Sequence, residues 1–323
     1  MKGVRFWGTR GSLPVALTAA GLGHKLRAVL RAARGQAIAT DADIERLLAD
    51  LPFALAGTYG GHSACVQIQL DENGGGTDYV LCDMGSGLRA FGQAAMAQRG
   101  GKAQTFHIFM SHLHWDHIMG LPFFVPAFIP GNRVILYGSH RELESALRRQ
   151  QEPPSFPVGF DTIFEGRVEF RHLEPGVAHD IAGLRVTTLL QRHTGDSYGY
   201  RFESAGKVLV YSTDSEHPQD DPAHIDRFVD FFRDADLVIF DAMYSLADAI
   251  SFKADWGHSS NVVGVELCQL ANVRHLCMTH HEPVFDDTAI DAMLAETRRL
   301  EEITRGASAL RVSAAYDGLE LAL

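Results

Sequence analysis

A chain that sets four metal-competent side chains at the end of one buried strand has few folds open to it. Here the apolar run Thr105-Phe106-His107-Ile108-Phe109-Met110 leads directly into Ser111-His112-Leu113-His114-Trp115-Asp116-His117, and then into Ile118-Met119-Gly120-Leu121-Pro122. The run reads as a strand buried on both faces, and the glycine and proline beyond it as a loop into the next element. Imidazole nitrogens and carboxylate oxygens suit zinc, manganese or iron. His112 and His114 share one face of a regular strand, or a loop aims both at one ion. Asp116 and His117 are adjacent, point differently, and are free to hold a second ion. Chance placement does not give ligand types at this density.

The rest of the chain supplies strands and helices in alternation. Strands are expected at Val4–Trp7, Ala64–Leu70, Tyr79–Cys82, Val134–Gly138, Arg167–Leu173, Leu184–Leu190, Tyr198–Glu203, Val208–Ser212, Leu237–Asp241, Arg274–Met278, Leu310–Tyr316 and Leu319–Leu321. A Gly74-Gly75-Gly76 turn joins two of them as a hairpin. Helices are expected at 90–98, 141–149, 223–233, 260–271 and 288–305. Between residues 15 and 55, Leu26, Val29, Leu30 and Ala33, then Ile44, Leu47 and Leu48, recur at helical spacing, and Thr40 or Asp41 is placed to cap the second helix. This stretch interrupts strand-rich sequence and reads as a helical insertion that packs over one face. No Pro/Gly/Ser-rich linker divides the 323 residues, so the expected organisation is one domain, 1–323, of two sheets packed face to face with helices outside.

Composition narrows the function classes. The net charge of −11 argues against bulk attraction to a phosphate backbone. Four cysteines, Cys65, Cys82, Cys268 and Cys277, form no Cys-x-x-Cys pair and read as buried free thiols. The first residues lack the apolar core of a signal peptide and no run approaches a membrane span, so the expectation is a soluble, cytoplasmic protein with no membrane partner. A homodimer is compatible with the sequence, which shows no clear interface.

Further ligand types stand at strand ends downstream: His193 after Thr187–Arg192, Asp214 after Val208–Ser212, and His280 after His275–Thr279. A rigid strand can aim each of them. His112, His114 and His193 would hold one metal, Asp116, His117 and His280 the other, with the Asp214 carboxylate bridging. Two ions ~3.5–4 Å apart can share a hydroxide and clamp the attacking and leaving oxygens of a phosphate ester or a similarly activated bond.

Residues 111–121 resemble the His-x-His-x-Asp-His signature of the metallo-β-lactamase superfamily. His193 through Arg201, Tyr211-Ser212-Thr213-Asp214, Gly257-His258-Ser259-Ser260 and Met278-Thr279-His280 follow in the order of its ribonuclease Z and phosphodiesterase branch. Phe6–Pro14 and Thr58-Tyr59-Gly60-Gly61-His62 are similar to a bacterial group labelled cyclic-nucleotide-phosphodiesterase-like. The resemblance spans nearly the whole chain outside the 15–55 insertion. It implies a four-layer αββα sandwich with a dinuclear site at one edge and the ligand set above, two divalent ions with zinc expected first. It makes His258 a proton donor to the leaving oxygen or a phosphate contact, Asp116 a participant in the chemistry as well as a ligand, and Asp83 a carboxylate behind the metals that orients a ligand histidine. His62 stands where relatives often carry Asn and is placed as a pocket-lining residue. His217 reads as a surface histidine.

The expected function is hydrolysis of a small phosphodiester or cyclic nucleotide. The His193–Asp214 interval is too short for the basic arm with which the ribonuclease Z branch grips tRNA, which sets a tRNA 3′-processing endonuclease lower. Hydrolysis of a carboxylic ester, lactone or thioester by the same hydroxide is the second enzymatic reading, and a metal-binding sensor without turnover is the third.

Overall fold

The computed structural model describes residues 1–71, 77–98, 101–218, 220–245 and 257–323. The turn expected at Gly74–Gly76 and Trp256, beside His258, lie outside the described residues.

The first half of the chain builds one sheet from β1 (Gly3–Gly8), β2 (Cys65–Gln69), β3 (Asp78–Cys82), β4 (Thr105–Phe109), β5 (Arg133–Gly138) and β6 (Val168–His172). The second half builds another from β7 (Ala178–Ile181), β8 (Leu184–Gln191), β9 (Ser197–Ser204), β10 (Lys207–Ser212), β11 (Leu237–Asp241), β12 (His275–Thr279) and β13 (Arg311–Ala314). The chain then returns, and β14 (Glu320–Ala322) pairs with β1, so each sheet has seven strands. β3 to β6 run parallel, as do β10 to β13, while β1–β2–β3 and β7 to β10 are antiparallel.

Period-two alternation explains why the sheets face each other. In β11, Leu237 and Ile239 enter the core between the sheets, where Phe6, Ile68, Val80, Phe109, Tyr200 and Tyr211 meet them. Val238 and Phe240 point the opposite way, onto α8 (Pro222–Phe232), α9 (Asn261–Leu270) and α10 (Asp287–Thr304). The first sheet does the same: Leu81, Ile108 and Leu136 pack outward beneath α4 (Gly87–Gln98), α6 (Leu143–Gln150) and α7 (Phe160–Phe164). The expected αββα layering is what forms. Short elements escape the sequence pattern. β7 is a half-exposed edge strand of Ala-His-Asp-Ile with no apolar run, and α7 is a five-residue helix beyond the Pro-rich loop.

The insertion carries α1 (Ala19–Ala32), α2 (Asp41–Asp50) and α3 (Phe53–Ala56). Thr40 caps α2 in a full capping box with Asp43. α3 docks on α10. Asp291 accepts the Ala54 N–H at 3.0 Å and the Tyr59 hydroxyl, and Asp287 accepts the Tyr59 N–H at 2.8 Å and pairs with the Lys25 ammonium of α1. The helical spacing is correct for α1, but the burial it implies is not: none of its residues is buried, and Leu22, Leu26 and Leu30 face outward. His217 departs from expectation in the opposite sense. It is buried, stacked near-parallel to Phe240, edge-on to Phe228 and hydrogen-bonded to His224. Among the described residues no helix is long and apolar enough to cross a membrane.

Candidate active site

The carboxyl ends of β3, β4, β8, β10, β11 and β12 open on one edge of the sandwich, where loops carry side chains on a rigid frame. The loop after β4 is short. Met110 and Ser111 leave the strand, His114 stands just before α5 (Trp115–Ile118) without a side-chain capping bond, and this one turn of helix replaces the loop expected there. A helical turn at Asp116-His117 and an extended His112-Leu113-His114 send the four side chains to two places.

His112, His114, His193 and Asp214 offer ligand atoms that all lie within 4.8 Å of one another. His114 Nδ1 is 3.1 Å from His193 Nε2, and Asp214 Oδ2 is 3.5 Å from His112 Nε2 and 3.7 Å from His193 Nε2. Asp116, His117 and His280 make a second such group. His117 Nε2 is 3.2 Å from Asp116 Oδ2 and 3.3 Å from His280 Nε2. The other oxygen of Asp214, Oδ1, lies 3.3 Å from His117 Nε2 and 3.2 Å from His280 Nε2. Asp214 therefore stands between the clusters with one oxygen toward each.

Groups behind these atoms fix which nitrogen faces inward. Asp83 Oδ2 accepts His117 Nδ1–H at 2.8 Å and also the hydroxyls of Ser111 and Tyr211, each at 2.7 Å. That makes Nε2 the His117 nitrogen that faces the cluster. His193 Nδ1–H donates to Gly257 O at 2.7 Å, which frees His193 Nε2 in the same way. Gly257 sits at φ +82, and a Cβ there would lie 2.4 Å from His193 Nδ1, so only glycine brings this carbonyl so close. Asp83 and His280 are themselves left-handed, at φ 62 and 60, at the ends of β3 and β12. Such conformations cost of order 1–3 kcal/mol each and persist where the surroundings hold them.

Burial drives the His112 imidazole well below its usual pKa, helped by the neighbouring histidines, and lowers His114 and His193 for the same first reason. These three rings are neutral, the form that binds metal. For His117, burial opposes the charge, but Asp116, Asp214 and Asp83 outweigh it and raise its pKa. Asp116 and Asp214 are both held far below the carboxylate range, burial notwithstanding, by the histidines around them. Two ionised carboxylates thus converge on the neutral rings of His112, His114 and His193 and on His117, which they hold protonated. His112 Nε2 is buried and has no hydrogen-bond partner among the described residues. A cation here would take the place of the proton that the carboxylates hold on His117 and would give the buried His112 Nε2 the partner it lacks. The residues present fit divalent ions.

His258 stands at the side of this cluster, its ring 5.1 Å from those of both His193 and His280. Its Nδ1 is 2.9 Å from Asp241 Oδ2 and 3.9 Å from Asp214 Oδ2. Burial works against its charge, but Asp241 above all, then Asp214 and Asp116, raise its pKa to about 9.

All eight residues expected at the site, His112, His114, Asp116, His117, His193, Asp214, His258 and His280, come together. Of the adjacent pair, His280 faces the cluster, while His281 Nε2 bonds the Ala315 carbonyl at 2.8 Å. Ser260 caps α9. His62 Nδ1 bonds Ser86 Oγ at 3.1 Å. Sequence reading missed Asp241. The signal was there, because Leu237–Asp241 is an apolar strand ending in a carboxylate, the pattern that marked Asp214.

Two sheets with helices outside and a His/Asp cluster at one edge define a metal-dependent hydrolase of the metallo-β-lactamase fold. The family model described as "Beta-lactamase superfamily domain" matches residues 78–281, and the chain belongs to that family. The match runs from β3 through His281 and takes in every site residue above. The chain is similar to ribonuclease Z of Oceanobacillus iheyensis, with 24% identity over 244 residues, 60% of this chain and 76% of the relative. Among solved structures it is similar to the metallo-β-lactamase fold protein YhfI from Bacillus subtilis, at TM-score 0.65 and 15% identity over 100% of this chain and 99% of that one. It is also similar to a diphosphatase of the PhnP family, at TM-score 0.60 and 22% identity over 100% and 98%.

Proposed function

We propose that this protein is a phosphodiesterase, hydrolysing a small phosphodiester such as a cyclic nucleotide at a centre of two divalent ions. The observation that carries this reading is Asp214, which turns one carboxylate oxygen to each of two histidine clusters. His112, His114 and His193 would hold one ion, and Asp116, His117 and His280 the other. Zinc is the first expectation, with manganese or iron accepted by the same donors. When bound, the ions supply an activated water and stabilise charge on the phosphoryl oxygens.

The chain's own groups do the rest. Asp83 and Gly257 O hold His117 and His193 in one tautomer. Asp116 Oδ2 is ionised and is kept in place by the Ser12 N–H at 2.8 Å. Asp241 holds His258 by Nδ1, which leaves Nε2–H to donate to a phosphate oxygen or to the departing alkoxide. The relatives named ribonuclease Z and diphosphatase support a phosphorus–oxygen bond as the target. A small substrate is supported by the short span from His193 to Asp214, which β9 and β10 fill with a hairpin turning at Ala205-Gly206, and by the net charge of −11.

Protein loaded with zinc, manganese or iron should hydrolyse bis-p-nitrophenyl phosphate or a cyclic nucleotide faster than p-nitrophenyl acetate or a lactone. His258→Ala should lower that turnover by about 10²–10⁴-fold with metal content unchanged. Turnover of carboxylic esters alone, or of nothing under any loading, would overturn the proposal.

A further inference from the structure

One residue in the β4 loop has no part in holding the cluster. Trp115 lies between His114 and Asp116, and its side chain is 80% exposed. Among the described residues it makes no ring contact and no side-chain hydrogen bond. An indole left in water contributes little to folding, and its rigidity makes it a low-entropy surface for a ligand. Other large apolar side chains are exposed close in sequence to site contacts, Leu13, Leu190 and Val284 among them. Leu13, 60% exposed, follows Ser12, whose N–H binds Asp116 Oδ2, and Val284, 78% exposed, follows His280 by four residues. Exposed aliphatic residues are common singly. On this single turn of helix the preceding residue, His114, is an exposed member of the cluster and the following one, Asp116, a buried member, which fixes the backbone of Trp115 at the rim of the site.

Resting on the phosphodiesterase reading above, we infer that Trp115 is a specificity residue that stacks on a nucleobase, so that the substrate is a nucleotide ester rather than an alkyl phosphodiester. The cluster takes the phosphoryl group, and the exposed indole one residue away takes a planar group attached to it. Every base has a π-face, so this contact selects for a nucleoside without selecting which one.

The test separates this inference from the reading beneath it. Zinc-loaded protein is titrated with thymidine 5′-monophosphate and with ribose 5-phosphate by calorimetry and tryptophan fluorescence. In parallel, thymidine 5′-(p-nitrophenyl phosphate) and methyl p-nitrophenyl phosphate, which share a leaving group, are compared kinetically. The nucleotide should bind about tenfold tighter than the sugar phosphate and quench fluorescence, and the nucleoside ester should have the lower KM. Trp115→Ala should remove the preference and the quench with ribose 5-phosphate affinity unchanged, and Trp115→Phe should keep most of the preference. Selective, Trp115-dependent nucleotide binding without turnover would support stacking and sink the phosphodiesterase reading. Turnover of both esters with the same preference in Trp115→Ala would overturn stacking and leave that reading standing. A change from dimer to monomer in Trp115→Ala, with the preference unaltered, would assign the indole to a second copy of the chain and also overturn it.

Discussion

Asp83 faces no ion position, yet it organises more of the site than most of the residues that do. It accepts the Ser111 N–H, the Ser111 and Tyr211 hydroxyls and His117 Nδ1, and so ties β3, β4 and β10 to one carboxylate. Asp83→Asn keeps the size but cannot accept on every side, and His117 loses the partner that fixes its tautomer. Metal affinity, measured by chelator competition, should fall about 10–100-fold, the usual cost of losing such a support. Unchanged affinity would mean that His117 is oriented by packing alone. The same residue shows where sequence reading reaches its limit. His112, His114, Asp116 and His117 were legible because their spacing is itself a chemical statement. Single residues such as His193, Asp214 and His280 became legible through their place after apolar strands and their order along the chain. Asp241 has that placement too, but its role depends on His258 reaching it from another loop, and no spacing announces such a contact.

At the scale of elements, period-two burial made the strands readable, because each interior strand must be apolar on the face it shows to the other sheet. The edge strand β7 and the short α5 and α7 were not readable, since a four- or five-residue element takes its stability from neighbours rather than from its own pattern. The insertion is the instructive case. Its leucines recur at helical spacing, but α1 is held to the body by a Lys25–Asp287 ion pair and by α3, while Leu22, Leu26 and Leu30 face outward. The attachment depends on Asp291, which receives both the Ala54 N–H and the Tyr59 hydroxyl. Asp291→Ala leaves both donors without this acceptor and should lower stability by about 1–3 kcal/mol in urea unfolding. Metal content should not change, because no group at the cluster bonds Asp291. A loss of metal in this variant would show that the insertion supports the site from a distance.

Over the whole molecule, burial of neutral imidazoles couples stability to pH independently of the metal cluster. His275, on β12, is pushed down to about 4 by burial first and by Arg311 and Arg298 next, and its Nε2 lies 2.7 Å from Ser313 Oγ. His217, beneath α8, is pushed down to about 3 by burial, with His224 and Arg227 adding to it. Both groups have folded-state pKa values below the unfolded value of ~6.5. Above pH 6.5 neither state binds the proton, and the two residues are neutral in their effect. As pH falls below 6.5 the unfolded chain takes up protons that the folded chain refuses, so stability is lost down to the folded pKa values and not regained. Each group should cost about 2–3 kcal/mol by pH 4.5. His275→Gln keeps a hydrogen-bonding partner for Ser313 and removes one titration. Urea unfolding of wild-type and variant at pH 7.5, 6.0 and 4.5 should therefore show a stability difference that shifts in the variant's favour as pH drops, by about 2–3 kcal/mol across the range. Because metal release affects both proteins alike, it cancels in that difference. Parallel stability curves would show that His275 is protonated in the folded protein, with its imidazolium accommodated beside Ser313 against the repulsion of Arg311.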